Sequence, residues 1–175
     1  SLYSPSNSHG KEQLPVQRKL LIISIAIALA GILFQMGLQW WMSPHAIRGF
    51  YFQRWSSEDV MQTVSVQDLR DTPVQALWYN HIHPPALDAI RAVFAQVWST
   101  PDNPTLLRRV DRSLYVLWAM LYGAMGALIF WWLARATRPW FAGAAAALFL
   151  LHPAAIFYAT LMEATLISTV LILAM

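Results

Sequence analysis

The sequence predicts an all-α membrane protein with about four transmembrane helices, the last one incomplete, and a long outward loop bearing short interfacial helices. Hydrophobic residues make up 57% of the 175 residues and charged residues only 12%, against about 25% charged residues in soluble proteins. Long uncharged runs alternate with polar segments. The tryptophan pairs Trp40-Trp41 and Trp131-Trp132 lie at the ends of such runs, as amphipathic rings do at membrane interfaces.

The N-terminal region is predicted to be a cytoplasmic tail followed by the first span. Residues 1–19 form the tail, and residues 20–42 form an uncharged run that follows Arg18-Lys19. This run is longer than the core of a signal peptide, which has about 7–15 apolar residues. We therefore interpret it as a retained transmembrane helix.

Two further uncharged stretches follow the loop. Residues 114–134 meet the requirement of about 20 apolar residues for one span. Residues 139–175 carry a single charge, Glu163, and are too long for one span but short for two. The break is expected near His152-Pro153 and Tyr158, since proline removes a backbone donor, with a third span over about residues 140–157 and a fourth from about Met162. The short fourth run leads us to expect that the chain is one part of a larger or split protein.

The basic residues predict the orientation. Those that flank the spans on one side are Lys11, Arg18, Lys19, Arg135 and Arg138, and the positive-inside rule makes that side cytoplasmic. The loop of residues 43–113 then faces outward, and its seven arginines balance its seven acids. The net charge of +3 is thus explained by topology, and no basic stripe with interleaved aromatic residues indicates a nucleic-acid partner.

Adjacent acids stand in the outward loop, at Glu58 and Asp59. One interpretation is structural, because acids in the first turn of a helix that begins near Ser56 or Ser57 complement the helix dipole. The other is chemical, because a carboxylate shielded beside a membrane can accept a proton from an attacking hydroxyl. With no cysteine in the chain, thiol nucleophiles, disulfides and thiolate zinc sites are excluded.

Two histidines, His81 and His83, precede Pro84-Pro85. An extended backbone before proline would point both imidazoles to the same face. They could then bind phosphate, hold a divalent metal ion such as zinc or manganese, or make the hydrogen bonds of a folded loop. No cofactor is predicted beyond that open metal interpretation.

The two prolines are expected to begin an amphipathic helix along the outer interface. Its apolar stripe is Leu87, Ile90, Phe94 and Val97, with Asp88, Arg91 and Gln96 off the stripe. The loop arginines are interpreted as interfacial anchors, although the guanidinium fork of one of them would suit a lipid phosphate. Glu163 is either a functional group inside the last span or a residue at its outer rim.

In this order, the features resemble the N-terminal part of polytopic membrane glycosyltransferases with the GT-C fold, which include bacterial relatives of protein mannosyltransferases and aminoarabinose transferases. The resemblance covers about residues 20–175. It is carried by Ser57-Glu58-Asp59, His83-Pro84-Pro85-Ala86-Leu87, Leu107-Arg108-Arg109, and Leu151-His152-Pro153 with Tyr158 and Glu163. Members of this group commonly carry Asp before Glu, whereas this chain has Glu before Asp.

The resemblance implies an enzyme of the cell envelope, in the bacterial inner (plasma) membrane, that transfers a sugar from a polyprenyl-phosphate-type lipid donor to an acceptor on the outer face. Asp59, which matches the leading Asp, or Glu58 would be the catalytic base. Substrate would be bound by His81, His83, Arg54, Arg109 and Glu163. The expected partners are the lipid-linked donor, membrane lipids and the remaining part of the polytopic protein or a partner subunit. The alternative is a noncatalytic integral membrane subunit of a larger complex.

Overall fold

The computed structural model describes residues 9–42, 64–78, 86–160 and 164–175, and these residues are all-helical apart from short connections. The helices in chain order are α1 (His9–Met42), α2 (Val66–Asp71), α3 (Pro73–Trp78), α4 (Ala86–Trp98), α5 (Asn103–Ala136), α6 (Pro139–Leu150), α7 (Pro153–Thr160) and α8 (Ala164–Ala174). The predicted all-α fold class is confirmed for this part of the chain.

Two of the described helices are long and apolar enough to cross a membrane, namely α1 over residues 16–41 and α5. Both begin earlier than the uncharged runs predict, α1 at His9 and α5 at Asn103. The 34 residues of α5 extend about 51 Å at 1.5 Å per residue, against a hydrocarbon core of about 30 Å. Because the uncharged run of α5 begins at residue 114, the polar N-terminal part of α5 extends beyond a core of that thickness.

The third apolar region is divided where the prolines predict. Helices α6 and α7 meet at Leu151 and His152 with a bend of 60°, and they add a third span only if the bent pair is counted as one. Pro153 begins α7, where its missing N–H leaves no helical hydrogen bond unmade. Helix α8 has 11 residues, about half the length that a span requires.

Close packing of α1 on α5 forms the centre of the membrane part. The two helices are antiparallel, because Leu20 packs beside Phe130 while Gly31 meets Gly123 further along. A Cβ atom on Gly123 would overlap the carbonyl oxygen of Ala28. Glycine is therefore required here for the backbones to approach, as in other membrane helix pairs.

The outer unit, which we define as α2, α3 and α4 together with residues 103–113 of α5, lies at one end of the long helix. Helix α2 contacts both α4 and α5. Its buried residues, Val66 and Leu69, join Ala95 of α4 and Leu106 and Val110 of α5 in one apolar core. This core continues down α5 into the membrane part, so the outer unit is packed directly on top of the span.

Candidate functional site

The sequence-predicted residues fall unequally on the described structure. Arg54, Glu58, Asp59, His81, His83 and Glu163 lie outside the described residues. Arg109 is described, near the start of α5 in the outer unit. Their catalytic and substrate-binding roles therefore stay predictions, and the described site is built from the helices that flank these residues in sequence.

A buried ion pair occupies the first half of α4. Arg91 Nη1 donates to Asp88 Oδ1 at 2.7 Å, and the two side chains are 0% and 1% exposed. The same Nη1 donates to the carbonyl oxygen of Val64 at 2.7 Å. Both charged side chains take part in further polar interactions. Because single charges are rarely buried without such compensation, the pair makes the buried position tolerable.

The orientation of α4 differs from the simple amphipathic prediction. Its buried residues are Asp88, Arg91, Ala92 and Ala95, whereas Val97 of the expected apolar stripe is 69% exposed. The ion pair neutralises the two charges and lets the polar side of α4 face the core. The apolar stripe is then only partly covered, which suits a helix at a membrane surface.

Helix α2 is tied to α4 and to the start of α5 by polar contacts. Gln96 Nε2 donates to the carbonyl oxygens of Leu69 and Arg70 at 3.2 and 2.6 Å, which satisfies acceptors at the end of α2. Arg70 Nη1 donates to the carbonyl oxygen of Thr100 at 2.8 Å. Arg70 also pairs with Asp71 at 2.7 Å, and this bond lowers the pKa of Asp71 and raises the pKa of Arg70.

Arg109 lies in a second polar network, where α4 ends. Its Nη1 donates to Thr100 Oγ1 at 3.1 Å, and its guanidinium carbon lies 5.4 Å from the centre of the Trp98 ring. Trp98 Nε1 in turn donates to Ser113 Oγ at 2.9 Å. Arg112, one turn further along α5, makes no hydrogen bond or ion pair with any residue in the described ranges. Arg109, one of the residues predicted to bind substrate, is thus held in place, with Arg112 one turn away on the same helix.

Buried polar groups also occur lower down, between α1 and α5. Gln35 is 1% exposed, and neither polar atom of its amide has a partner within the described structure. Trp118 Nε1 is likewise buried without a partner there. The antiparallel register that joins Gly31 to Gly123 brings Gln35 level with Trp118. An unsatisfied buried polar group costs about 1–3 kcal/mol, so these two groups lower the stability of the packing between α1 and α5.

Metal binding stays an open prediction. Among the described residues, no group of three or more His, Asp or Glu side chains is arranged to hold a metal ion. His152, a described histidine, accepts a hydrogen bond at Nδ1 from the backbone N–H of Ala154 at 3.2 Å. Its ring therefore stabilises the start of α7.

No protein-family model, no curated protein and no solved structure matches the chain. Sequence reasoning did not assign a role to Asp88 and Arg91, which form the buried centre of the outer unit. A signal was present, because opposite charges three positions apart on one helix face can pair.

Proposed function

We propose that the protein is a membrane glycosyltransferase, or the N-terminal part of one, that transfers a sugar from a polyprenyl-phosphate-type donor to an acceptor. It would have about four spans in the bacterial inner membrane, with a cytoplasmic N-terminus and the outer unit facing outward. Asp59 would be the catalytic base, with Glu58 as the other candidate. His81, His83, Arg54, Arg109 and Glu163 would bind the substrates.

One observation carries this proposal, namely the position of the Arg91 guanidinium. Its Nη1 bonds to Val64 O and to Asp88 Oδ1, each at 2.7 Å, so the two acceptor oxygens lie no more than twice that distance apart. Val64 follows the acidic pair in sequence, and Asp88 follows the His-Pro-Pro motif. The buried side chain of Arg91 thus contacts both the segment that follows the acidic pair and the segment that follows the His-Pro-Pro motif.

Covalent geometry limits how far each motif can lie from this junction. Asp59 precedes Val64 by five positions, and His83 precedes Asp88 by five. Five residues of fully extended chain reach at most about 18 Å. Each motif therefore lies within about 18 Å of the Arg91 junction, a distance that permits the two motifs to share one site.

The polar groups around the outer unit suit the charges of the reaction. Arg109 would stabilise negative charge on a lipid phosphate through its planar donor fork. Preorganised donors of this kind stabilise charge that develops in a transition state.

The proposed reaction transfers the sugar with inversion. The base accepts the proton of the acceptor hydroxyl as its oxygen forms a bond to the anomeric carbon. The bond from that carbon to the donor phosphate oxygen breaks, and its electron pair leaves with the polyprenyl phosphate. The products are the glycosylated acceptor and the free lipid phosphate, and no oxidant or reductant is needed.

The test is a transfer assay in membranes that contain the full-length protein. A panel of labelled polyprenyl-phosphate sugars is supplied, and wild type is compared with the Glu58→Gln/Asp59→Asn double variant at equal expression. We expect one donor to be consumed by wild type and not by the double variant. Equal transfer by the two proteins would remove the acidic pair from the mechanism.

A noncatalytic subunit would give a different result. Wild type would then transfer sugar from no donor in the panel, and the protein would copurify in a fixed ratio with another integral membrane protein. The double variant would copurify as well as wild type, because its acids would serve no chemical step. That combination would replace the enzyme proposal.

A further inference from the structure

An open groove of about 650 Å³ runs between the end of α4 and the first half of the span in α5. On the α4 side it is lined by Phe94 and Trp98. On the α5 side it is lined at the top by Arg109 and Arg112 and lower down by apolar side chains that end at Met120. Its volume is typical of small-molecule sites, which occupy about 300–1,000 Å³.

We propose that this groove binds one anionic phospholipid of the leaflet in which the span of α5 begins, with the phosphate at the two arginines and one acyl chain along α5. The inference does not depend on the transfer reaction. It requires only that α5 crosses the membrane, and the uncharged run of α5 begins directly after Arg112 and Ser113. The positive end of the groove therefore lies where lipid head groups lie.

Charge complementarity selects an anionic head group. No carboxylate is among the described lining residues, whereas two guanidinium groups are. Arg109 is fixed by Thr100 and by the Trp98 ring, and Arg112 makes no hydrogen bond or ion pair with another described residue. The Arg109 guanidinium is therefore preorganised, and the Arg112 guanidinium is available to donate hydrogen bonds. Together they can contact a phosphate from two sides.

The dimensions of the groove suit an acyl chain. The lining residues Arg109, Arg112, Val116 and Met120 follow one another at helical spacing on one face of α5. From Arg109 to Met120 the helix rises about 16 Å at 1.5 Å per residue. The part below Ser113, about 10 Å of this rise, lies in the uncharged run, so the groove extends through about two thirds of one leaflet of a hydrocarbon core of about 30 Å.

The position of the groove favours a resident lipid over the proposed sugar donor. The ion pair that joins the two motif segments lies at the start of α4, whereas Trp98 ends that helix. The ten positions between Asp88 and Trp98 correspond to about 15 Å along the helix axis. A phosphate at Arg109 and Arg112 would therefore lie about that far along α4 from the ion pair. An Arg109 side chain that holds this lipid does not also bind the sugar donor, so this inference replaces the substrate-binding role proposed for Arg109 above.

Native mass spectrometry of the full-length protein, released from detergent micelles, tests the charged end. Equal amounts of phosphatidylglycerol and phosphatidylcholine with identical chains are offered. We expect wild type to retain one phosphatidylglycerol with at least tenfold preference. Arg112→Gln should weaken its binding about fivefold, and Arg109→Gln/Arg112→Gln about 30-fold, at about 1 kcal/mol for each arginine near a membrane surface.

Arg108→Gln is the matched control, because Arg108 is exposed on the same turn of α5 but does not line the groove. It should retain the lipid as wild type does. Equal retention of the two lipids by wild type, or an equal loss in Arg108→Gln and Arg112→Gln, would overturn the proposal. The single Arg112→Gln variant keeps the test valid should the double variant misfold, since Arg112 supports no described contact.

The apolar end and the identity of the lipid have separate tests. Val116→Trp places a large ring in the groove at a position that is 45% exposed, and we expect it to reduce phosphatidylglycerol retention without changing any charge. Unchanged retention would show that the acyl chain does not lie there.

Displacement of phosphatidylglycerol by an equimolar polyprenyl phosphate would assign the groove to the lipid carrier and would contradict a resident phospholipid.

Discussion

The buried ion pair of α4 gives the sharpest prediction of stability. Arg91→Met removes a guanidinium that is 0% exposed and leaves the Asp88 carboxylate buried without its partner at 2.7 Å. Asp88→Ala leaves the Arg91 guanidinium buried without the Asp88 carboxylate. Removing one member of a buried pair costs about 3–5 kcal/mol, because the remaining charge keeps its desolvation penalty. Each single variant should therefore destabilise the outer unit by about that amount.

The double variant should behave differently. With Asp88→Ala and Arg91→Met together, no charge of the pair remains to be desolvated, and the losses are the hydrogen bond to Val64 O and the further polar interactions of the two side chains. A bond of that kind contributes about 0.5–1.5 kcal/mol, and more when the donor is charged. We expect the double variant to lie within about 2 kcal/mol of wild type. The coupling energy between the two positions is then at least about 4 kcal/mol.

Hydrogen exchange measured by mass spectrometry provides the assay. The free energy of opening is followed in peptides from residues 66–71 and 86–98, in detergent, for all four proteins. Peptides from α1 serve as an internal control, because that helix is outside the outer unit. Additive effects of the two single variants would refute the reasoning, since they would mean that Asp88 and Arg91 do not compensate each other.

Two other predictions concern the helix packing and the loop. Gly123→Ala should destabilise the protein by about 1–3 kcal/mol in unfolding by denaturing detergent, because its Cβ would overlap α1. The control Gly143→Ala, where a Cβ meets nothing within 4 Å, should have no such cost. Equal losses of stability in the two variants would contradict the packing. The Asp71 carboxyl should titrate below its ordinary pKa of 3.8 by nuclear magnetic resonance, and Arg70→Gln should raise that pKa. Because the folded-state pKa of Asp71 is lowered, the stabilisation by the Arg70–Asp71 pair is present above about pH 3.8 and is lost as the pH falls through the folded-state pKa. An unchanged midpoint of the Asp71 titration in Arg70→Gln would argue against the pair.

The spans were predictable because uncharged runs of sufficient length have few alternatives. Residues 20–42 and 114–134 lie within α1 and α5. Their early starts were not predictable from hydropathy, since the added turns are polar. The start of α5 at Asn103 instead follows local chemistry, in which Asp102 caps the helix by accepting a bond from the Thr105 N–H at 3.1 Å.

The buried face of α4 was harder to predict, because periodicity alone places charged residues outside. Asp88 and Arg91 are buried through contacts that come from other elements, including the carbonyl oxygen of Val64. Such a partner is 27 positions from Arg91 in sequence and has no side-chain signature. For the same reason, the sequence predicts a basic residue near a span at Arg109 but does not predict the groove beside it.

The rate of sugar transfer by single acid variants tests the central claim most directly. Glu58→Gln, Asp59→Asn and the matched control Asp68→Asn, an exposed acid of α2, are compared with wild type in the same membranes and with the same donor. Loss of a general base lowers the rate by about 10²–10⁴-fold. We expect that loss in Asp59→Asn with donor binding retained, and wild-type transfer in Asp68→Asn. Wild-type rates in both Glu58→Gln and Asp59→Asn would contradict the account.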